Sequence, residues 1–203
     1  MSHNEAIEFL KKDPKLVKII NQVGDYNLKI TKNRYQALVE AIIAQQLSGS
    51  AAESILNKFK KLYKSKFPKP IDVIKTSDSK LRLAGLSKMK ILYIKDLSKK
   101  IETNQLNIKK ISTQNDENVI EQLINVKGIG RWTAEMFLIF SLGRLDILPV
   151  GDLGLKKGIQ LMYSFNELPN EKDIEQLAES WRPYRTIATW YLWKSLQKFD
   201  SIG

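Results

Sequence analysis

Apolar residues recur at intervals of three and four along most of this chain, with polar residues between them. This is the spacing of helices that bury one face. It predicts a helix from Tyr35 to about Leu47, a long helix that begins at Ser87 and runs through Ile101, and a helix over 117–126. Asn33 stands just before the first of these and is a predicted N-cap. Because no segment alternates as a strand would, we predict an all-α protein of about ten short helices.

Two glycines interrupt this pattern between the helix over 117–126 and a second apolar helix that runs from Trp132 through Phe140. Gly128 and Gly130 permit unusual backbone geometry and let another molecule approach closely. A turn of this kind points backbone N–H groups and the positive end of a helix outward, which suits a phosphate. A plain turn between two helices is the alternative. A dinucleotide-binding loop is not expected, because the preceding segment is helical.

The sequence also suggests where the chain divides. The second helix of the hairpin ends near Ser141–Gly143, which predicts one helical lobe over 33–142 and a second lobe built from 1–32 plus 143–203. A cleft between two lobes is where a site is expected. Asp152 follows Pro149 and Gly151 and stands where the next helix would begin, so it is a natural N-cap. A functional carboxylate at the mouth of the cleft is the second interpretation, and one residue can serve both purposes.

Composition narrows the range of functions. The chain has 33 Lys and Arg against 22 Asp and Glu, a net charge of +11 that points to a polyanion, most simply nucleic acid. The densest basic run lies over 58–69, where a solvated helix end is the simpler interpretation. Cysteine is absent and the one histidine is His3, so thiolate, iron–sulfur and histidine chemistry are not expected. The absence of a membrane-length apolar run or a signal segment leads us to expect a cytoplasmic, nucleoid-associated or nuclear protein.

The aromatic residues near the C-terminus add one more candidate. In the predicted last helix, Tyr184, Ile187 and Tyr191 share a broad apolar face, whereas Trp193 projects almost opposite to it. An exposed tryptophan is costly, so Trp193 is expected to cover either another helix or the wall of a pocket.

Taken together, these segments resemble the helix-hairpin-helix DNA glycosylases (the HhH-GPD superfamily), most closely the DNA-3-methyladenine glycosylase II group. The resemblance lies in three segments and one tryptophan, namely 126–135, 148–156, 181–185 and Trp193, and the segments 41–48 and 83–87 are also similar. It implies a two-lobed helical fold with a central cleft. It also implies a monomer that excises alkylated bases, of the 3-methyladenine and 7-methylguanine type, from duplex DNA in base excision repair.

The resemblance assigns a role to each candidate residue. Asp152 would be catalytic, and the nucleotide would be flipped out of the duplex into a base pocket of Trp132, Met136 and Trp193. The wedge that fills the gap in the duplex would be Gln46 and Leu47. The backbone phosphates would be bound by the hairpin residues Lys127, Gly128, Ile129, Gly130 and Arg131.

Some positions depart from the family or separate its branches. Relatives that also cut the strand carry a nucleophilic lysine where this chain has Trp132, so no lyase activity is expected. Lys127 replaces a common proline, Met136 replaces an aromatic residue, and Gly151 replaces a second acid of some members, which blurs the substrate range. No cofactor is expected, although a monovalent cation on the backbone carbonyls of the hairpin remains open. The alternatives are a non-catalytic helix-hairpin-helix DNA-binding module and a glycosylase for oxidised or mismatched bases.

Overall fold

The computed structural model describes residues 3–199, and all regular structure in that range is helical. The all-α prediction is therefore confirmed. The α-helices are α1 His3–Leu10, α2 Leu16–Val23, α3 Arg34–Ala44, α4 Gly49–Lys61, α5 Pro70–Lys75, α6 Asp78–Leu83, α7 Lys88–Glu102, α8 Asp116–Ile124, α9 Arg131–Phe140, α10 Leu153–Tyr163, α11 Glu171–Ala178 and α12 Arg185–Phe199. Short 3-10 helices occur at Ile111–Thr113 and Glu179–Trp181. Within the same range, no helix is long and apolar enough to span a membrane.

The chain forms two compact units. The hairpin unit comprises residues 31–142, and the terminal unit comprises the residues up to Ile30 together with those from Gly143 onward.

In the hairpin unit, α7 packs against α3, α5 and α6, and α8 packs against α9. The buried face predicted for α3 is present, since Leu38, Val39, Ile42 and Ile43 are all at most 1% exposed. The predicted cap is also present, because Asn33 Oδ1 accepts a hydrogen bond from the Gln36 N–H.

The end of α3 differs from the prediction. The apolar spacing suggested a helix to about Leu47, but α3 ends at Ala44 and Gln46 adopts a left-handed φ of 57°. Leu47 continued the apolar period in the sequence, yet its side chain is exposed rather than part of the helix face. The segment Gln45–Ser48 is therefore a loop between α3 and α4.

The terminal unit is built around Trp181 and Tyr191, both fully buried. The most extensive helix packing in this unit is between α10 and α12. Gly158 makes this possible, since a Cβ on it would lie 2.8 Å from Leu192 Cβ on α12. The close packing of α10 against α12 therefore fixes the position of the start of α10, where Asp152 is the N-cap.

Candidate active site

The hairpin between α8 and α9 uses its two glycines differently. Gly128 has a left-handed φ of 79°, and a Cβ there would lie 2.1 Å from the Tyr93 ring. Gly130 has a φ of −94°, which any residue can adopt, and a Cβ on it would meet nothing within 4 Å. Glycine is thus required at 128 by the packing of the turn against Tyr93 and by the left-handed backbone. At 130 it leaves the backbone at the start of α9 open to an approaching molecule.

The start of the hairpin is anchored to α7. The Lys127 N–H donates to Asp96 Oδ2 at 2.9 Å, and Lys100 donates to the same oxygen at 2.7 Å. Burial alone raises the pKa of Asp96, but these donors outweigh it and leave the pKa below its usual value. Tyr93 and Asp96 of α7 therefore both hold the turn in place.

The two cations beside the glycines have different surroundings. Arg131 makes a two-pronged ion pair with Glu117, at 2.9 and 3.1 Å, and its Nε donates to Glu135 at 3.2 Å. This arrangement joins the start of α8 to the start of α9. Lys127 is exposed, whereas Ile129 is only 4% exposed and its N–H donates to the Val126 carbonyl at 3.1 Å, so Ile129 contributes to the packing of the turn.

A cavity of about 930 Å³ lies within the hairpin unit. The predicted residues Gln46, Leu47, Gly128, Trp132 and Met136 all line it. Sequence reasoning missed other lining residues, including Ala41, Ala44, Lys90, Tyr93 and Phe140. Trp132 is 47% exposed, so a large aromatic surface is available at this cavity. The cavity is large enough to admit a flat heterocycle, and its mixture of aromatic and small apolar residues suits one.

Asp152 and Trp193 belong to the terminal unit and form one hydrogen-bonded group. Asp152 Oδ1 accepts the Leu155 N–H at 2.7 Å, which confirms the predicted N-cap of α10. The same oxygen accepts the Trp193 indole N–H, also at 2.7 Å. Trp193 therefore covers a neighbouring helix end and fixes the carboxylate at the same time. Two donors on one oxygen leave the carboxylate little freedom to rotate.

The segment that leads to Asp152 is tied to the start of α12. Arg185 Nε donates to Asp146 Oδ1 at 2.7 Å, and the Arg185 NH2 group donates to the Asp146 carbonyl at 2.7 Å. The buried Ile147 N–H donates to the Thr186 hydroxyl at 2.9 Å. These bonds hold the chain just upstream of the carboxylate. Among residues 3–199, no group of three or more His, Cys, Asp or Glu side chains is placed to hold a metal ion.

Known proteins are similar along most of this chain. Residues 39–183 match the HhH-GPD superfamily base excision DNA repair protein family. DNA-3-methyladenine glycosylase 1 of Schizosaccharomyces pombe is 33% identical over 188 residues, which span 92% of this chain and 82% of that protein. The alkylbase DNA glycosidase-like protein mag2 of the same yeast is 35% identical over 187 residues, 90% of this chain and 88% of that one.

Solved structures agree in fold. The 3-methyladenine DNA glycosylase of Schizosaccharomyces pombe, in complex with abasic DNA, has a TM-score of 0.86 at 32% identity and covers 95% of this chain and 97% of its own. A DNA-3-methyladenine glycosidase from Bacillus halodurans has a TM-score of 0.85 at 39% identity, with coverages of 95% and 89%. The resemblance read from the motifs is confirmed, and the chain belongs to the HhH-GPD superfamily of base excision DNA repair proteins.

Proposed function

We propose that this protein is a monofunctional DNA glycosylase of the 3-methyladenine type, which hydrolyses the N-glycosidic bond of alkylated purines in duplex DNA. The observation that carries the proposal is the Asp152 carboxylate, held by the Leu155 N–H and the Trp193 indole in a chain that also has the hairpin. The similarity to the two yeast proteins named for alkylated bases supports the substrate class.

The chemistry requires little acid catalysis from the protein. A purine methylated at a ring nitrogen is cationic and already a good leaving group. As the bond to the sugar breaks, positive charge develops on the sugar, and a fixed carboxylate stabilises that charge without reorganising. We assign this role to Asp152, which also orients the water that attacks C1′. The bond that forms is C1′–O, the cationic base leaves neutral with the electron pair of the C1′–N bond, and the attacking water gives up one proton to the solvent.

The hairpin unit supplies binding. The open backbone at Gly130 and the exposed Lys127 are suited to phosphates of the damaged strand. Leu47 is 39% exposed and Gln46 stands on the strained turn, which suits a wedge that replaces the extruded nucleotide. The flipped base would stack on Trp132 in the 930 Å³ cavity. An attraction of about 0.5–2 kcal/mol between a cation and an aromatic ring favours charged bases there.

The absence of lyase activity is part of the proposal. A Schiff base needs a free amine, and the family's lysine position is occupied by Trp132. Of the described residues that line the cavity, the only lysine is Lys90, and its ammonium is bonded to two backbone carbonyls. Borohydride is therefore expected to trap no covalent adduct with abasic DNA, whereas an adduct would contradict this part of the proposal.

A base-release assay tests the proposal. Wild-type protein is expected to release 3-methyladenine and 7-methylguanine from methylated duplex DNA, and Asp152→Asn to abolish release while it still binds an abasic analogue. The matched control is Asp25→Asn, which removes an exposed carboxylate from the same unit and should leave release unchanged. Undiminished release by Asp152→Asn contradicts the mechanism. Equal binding to damaged and intact DNA without release indicates a DNA-binding module, and release of oxidised or mismatched bases instead indicates a different glycosylase.

A further inference from the structure

The ammonium of Lys90 binds the end of α3. Lys90 Nζ donates to the Ile43 carbonyl at 2.7 Å and to the Gln45 carbonyl at 2.9 Å. The last four carbonyls of a helix lack partners inside the helix, and a cation at that end also interacts favourably with the helix dipole. The neighbouring Ala44 carbonyl is satisfied by the Leu47 N–H at 3.2 Å. Lys90 thus satisfies two carbonyls of the segment from which the proposed wedge projects.

That segment contains a strained residue. Gln46 has a φ of 57°, a conformation that residues other than glycine adopt rarely and at a cost. Such a conformation persists only where its neighbours fix it. The bond from Lys90 to the Gln45 carbonyl and the bond from Leu47 to Ala44 fix the chain on both sides of Gln46. The strained conformation is therefore held by one local backbone bond and by one side chain from another helix.

The same turn of α7 also contacts the hairpin. Lys90 and Tyr93 are three residues apart and share a face of α7. The Tyr93 ring lies against Gly128, where a Cβ would come within 2.1 Å of it. Gln45 closes the loop of contacts, since its Nε2 donates to the Gly128 carbonyl at 2.8 Å. The loop after α3 and the phosphate-binding turn are thus joined both directly and through α7.

We propose that Lys90 is a positioning residue for nucleotide extrusion, which acts by holding the Gln46–Leu47 wedge in fixed register with the Gly128 turn. Its ammonium contacts the backbone carbonyls of Ile43 and Gln45, so it acts on the wedge through the backbone of the loop. The inference rests on the proposed function, because a wedge is needed only by a protein that extrudes a nucleotide from the duplex. It adds a residue that neither the motifs nor the family assignment selects, and explains why an amine is bonded to two carbonyls at the cavity.

The experiment separates extrusion from binding and chemistry. Duplexes carry 7-methylguanine beside a fluorescent adenine analogue whose emission rises when stacking is lost. Single-turnover base release and dissociation constants are measured on matching duplexes. Lys90→Met keeps the length of the side chain but removes its donors. We expect the fluorescence change and the single-turnover rate to fall about ten- to a hundredfold, as for loss of a charged hydrogen bond, with affinity for an abasic analogue changed far less.

Two variants provide matched comparisons. Lys88→Met removes an exposed lysine at the first position of the same helix, whose side chain has no hydrogen bond or ion pair with any described residue, so it measures loss of one positive charge alone. Lys90→Arg retains a cation with several donors and is expected to recover most of the extrusion signal. If Lys90→Met does not fold, Lys90→Gln takes its place, because its shorter, uncharged side chain also loses the two bonds of the ammonium, and the same selective loss of extrusion is expected from it.

The outcomes separate this inference from the proposed function. If wild-type protein releases no alkylated base, the proposed function fails. If wild-type protein is active and Lys90→Met extrudes and cleaves at the wild-type rate, the positioning role is wrong. It is also wrong if Lys88→Met loses as much as Lys90→Met, or if only the affinity for DNA falls. A selective loss of extrusion that Lys90→Arg restores supports it.

Discussion

Replacing Gly154 with alanine should impair catalysis by displacing the Asp152 carboxylate and the Trp193 indole. Gly154 lies in the first turn of α10, two residues after Asp152. A Cβ on it would lie 2.9 Å from Trp193 Cδ1, 3.1 Å from the indole nitrogen and 3.0 Å from Asp152 Oδ1. The new methyl group would therefore press on both partners of the hydrogen bond that fixes the carboxylate.

The size of the effect follows from these distances. Ordinary contacts begin at 3.4 Å, so the indole must retreat by about 0.5 Å and the carboxylate oxygen by about 0.4 Å. If the indole moves by that amount along the Trp193–Asp152 bond, the bond, now 2.7 Å, reaches about 3.2 Å, the usual limit of a good N–H···O bond. A misplacement of about 1 Å can cost about a hundredfold in rate, so half of that suggests about tenfold. Folding stability should change less, because alanine favours a helix by about 1 kcal/mol over glycine while overpacking costs about 1–3 kcal/mol.

Single-turnover base release and thermal unfolding, measured together, test this reasoning. Gly158→Ala is the matched control, since its Cβ would lie 2.8 Å from Leu192 Cβ in the same helix pair but away from the carboxylate. We expect similar losses of stability from the two variants and a clearly larger loss of rate from Gly154→Ala, with affinity for abasic DNA unchanged. A wild-type rate in Gly154→Ala would refute the argument. An equal loss of rate in both variants would mean that helix spacing, not contact with the Asp152–Trp193 pair, controls catalysis.

Two further predictions concern the hairpin and the terminal unit. Gly128→Ala should lower stability by about 2–4 kcal/mol, because it adds a left-handed alanine and a clash with Tyr93. Gly130→Ala should fold normally yet bind duplex DNA more weakly. Denaturant unfolding and binding titrations measure the two properties. Equal behaviour of Gly128→Ala and Gly130→Ala in both measurements would contradict the prediction. Burial acts to raise the pKa of Asp13, but hydrogen bonds from the Trp181 indole and two backbone N–H groups outweigh it and lower the pKa below 3.8. A lowered folded pKa stabilises the fold above the unfolded value and loses that contribution as the pH falls through the folded value. Asp13→Asn should therefore melt earlier than wild type at pH 7, with a gap that closes in acid below 3.8, and a gap independent of pH would refute it.

The helix starts were predictable from sequence because their signals are local. Asn33, Ser48, Ser87 and Asp152 each accept a bond from the N–H three residues later, and this needs only the right residue before an apolar stretch. The end of α3 was not predictable in the same way. Leu47 fits the apolar period of α3, so the sequence pattern continues past the true end of the helix. At that end the Gln45 carbonyl accepts a hydrogen bond from Lys90, which lies 45 residues away in sequence.

The candidate site shows the same division. The hairpin, its glycines and Asp152 could be selected from residue type and spacing alone. The partners that decide what each does could not, because they are distant in sequence. Arg131 pairs with Glu117, which lies 14 residues earlier, and Gln45 bonds to Gly128, which lies 83 residues later. The spacing likewise predicted unusual backbone geometry at both Gly128 and Gly130, whereas of these two only Gly128 has a left-handed backbone.

The two interpretations of Asp152, as a helix cap and as a reacting group, support each other. Asn and Asp cap helices about equally well, so capping α10 does not by itself require a carboxylate. A carboxylate that is to stabilise developing positive charge must already be oriented before the reaction, since any reorganisation would raise the barrier. The cap bond from Leu155 provides that orientation, and the Trp193 indole adds a second constraint from α12 on the same oxygen. By capping α10, Asp152 therefore has its carboxylate held in the fixed orientation that stabilisation of the developing charge requires.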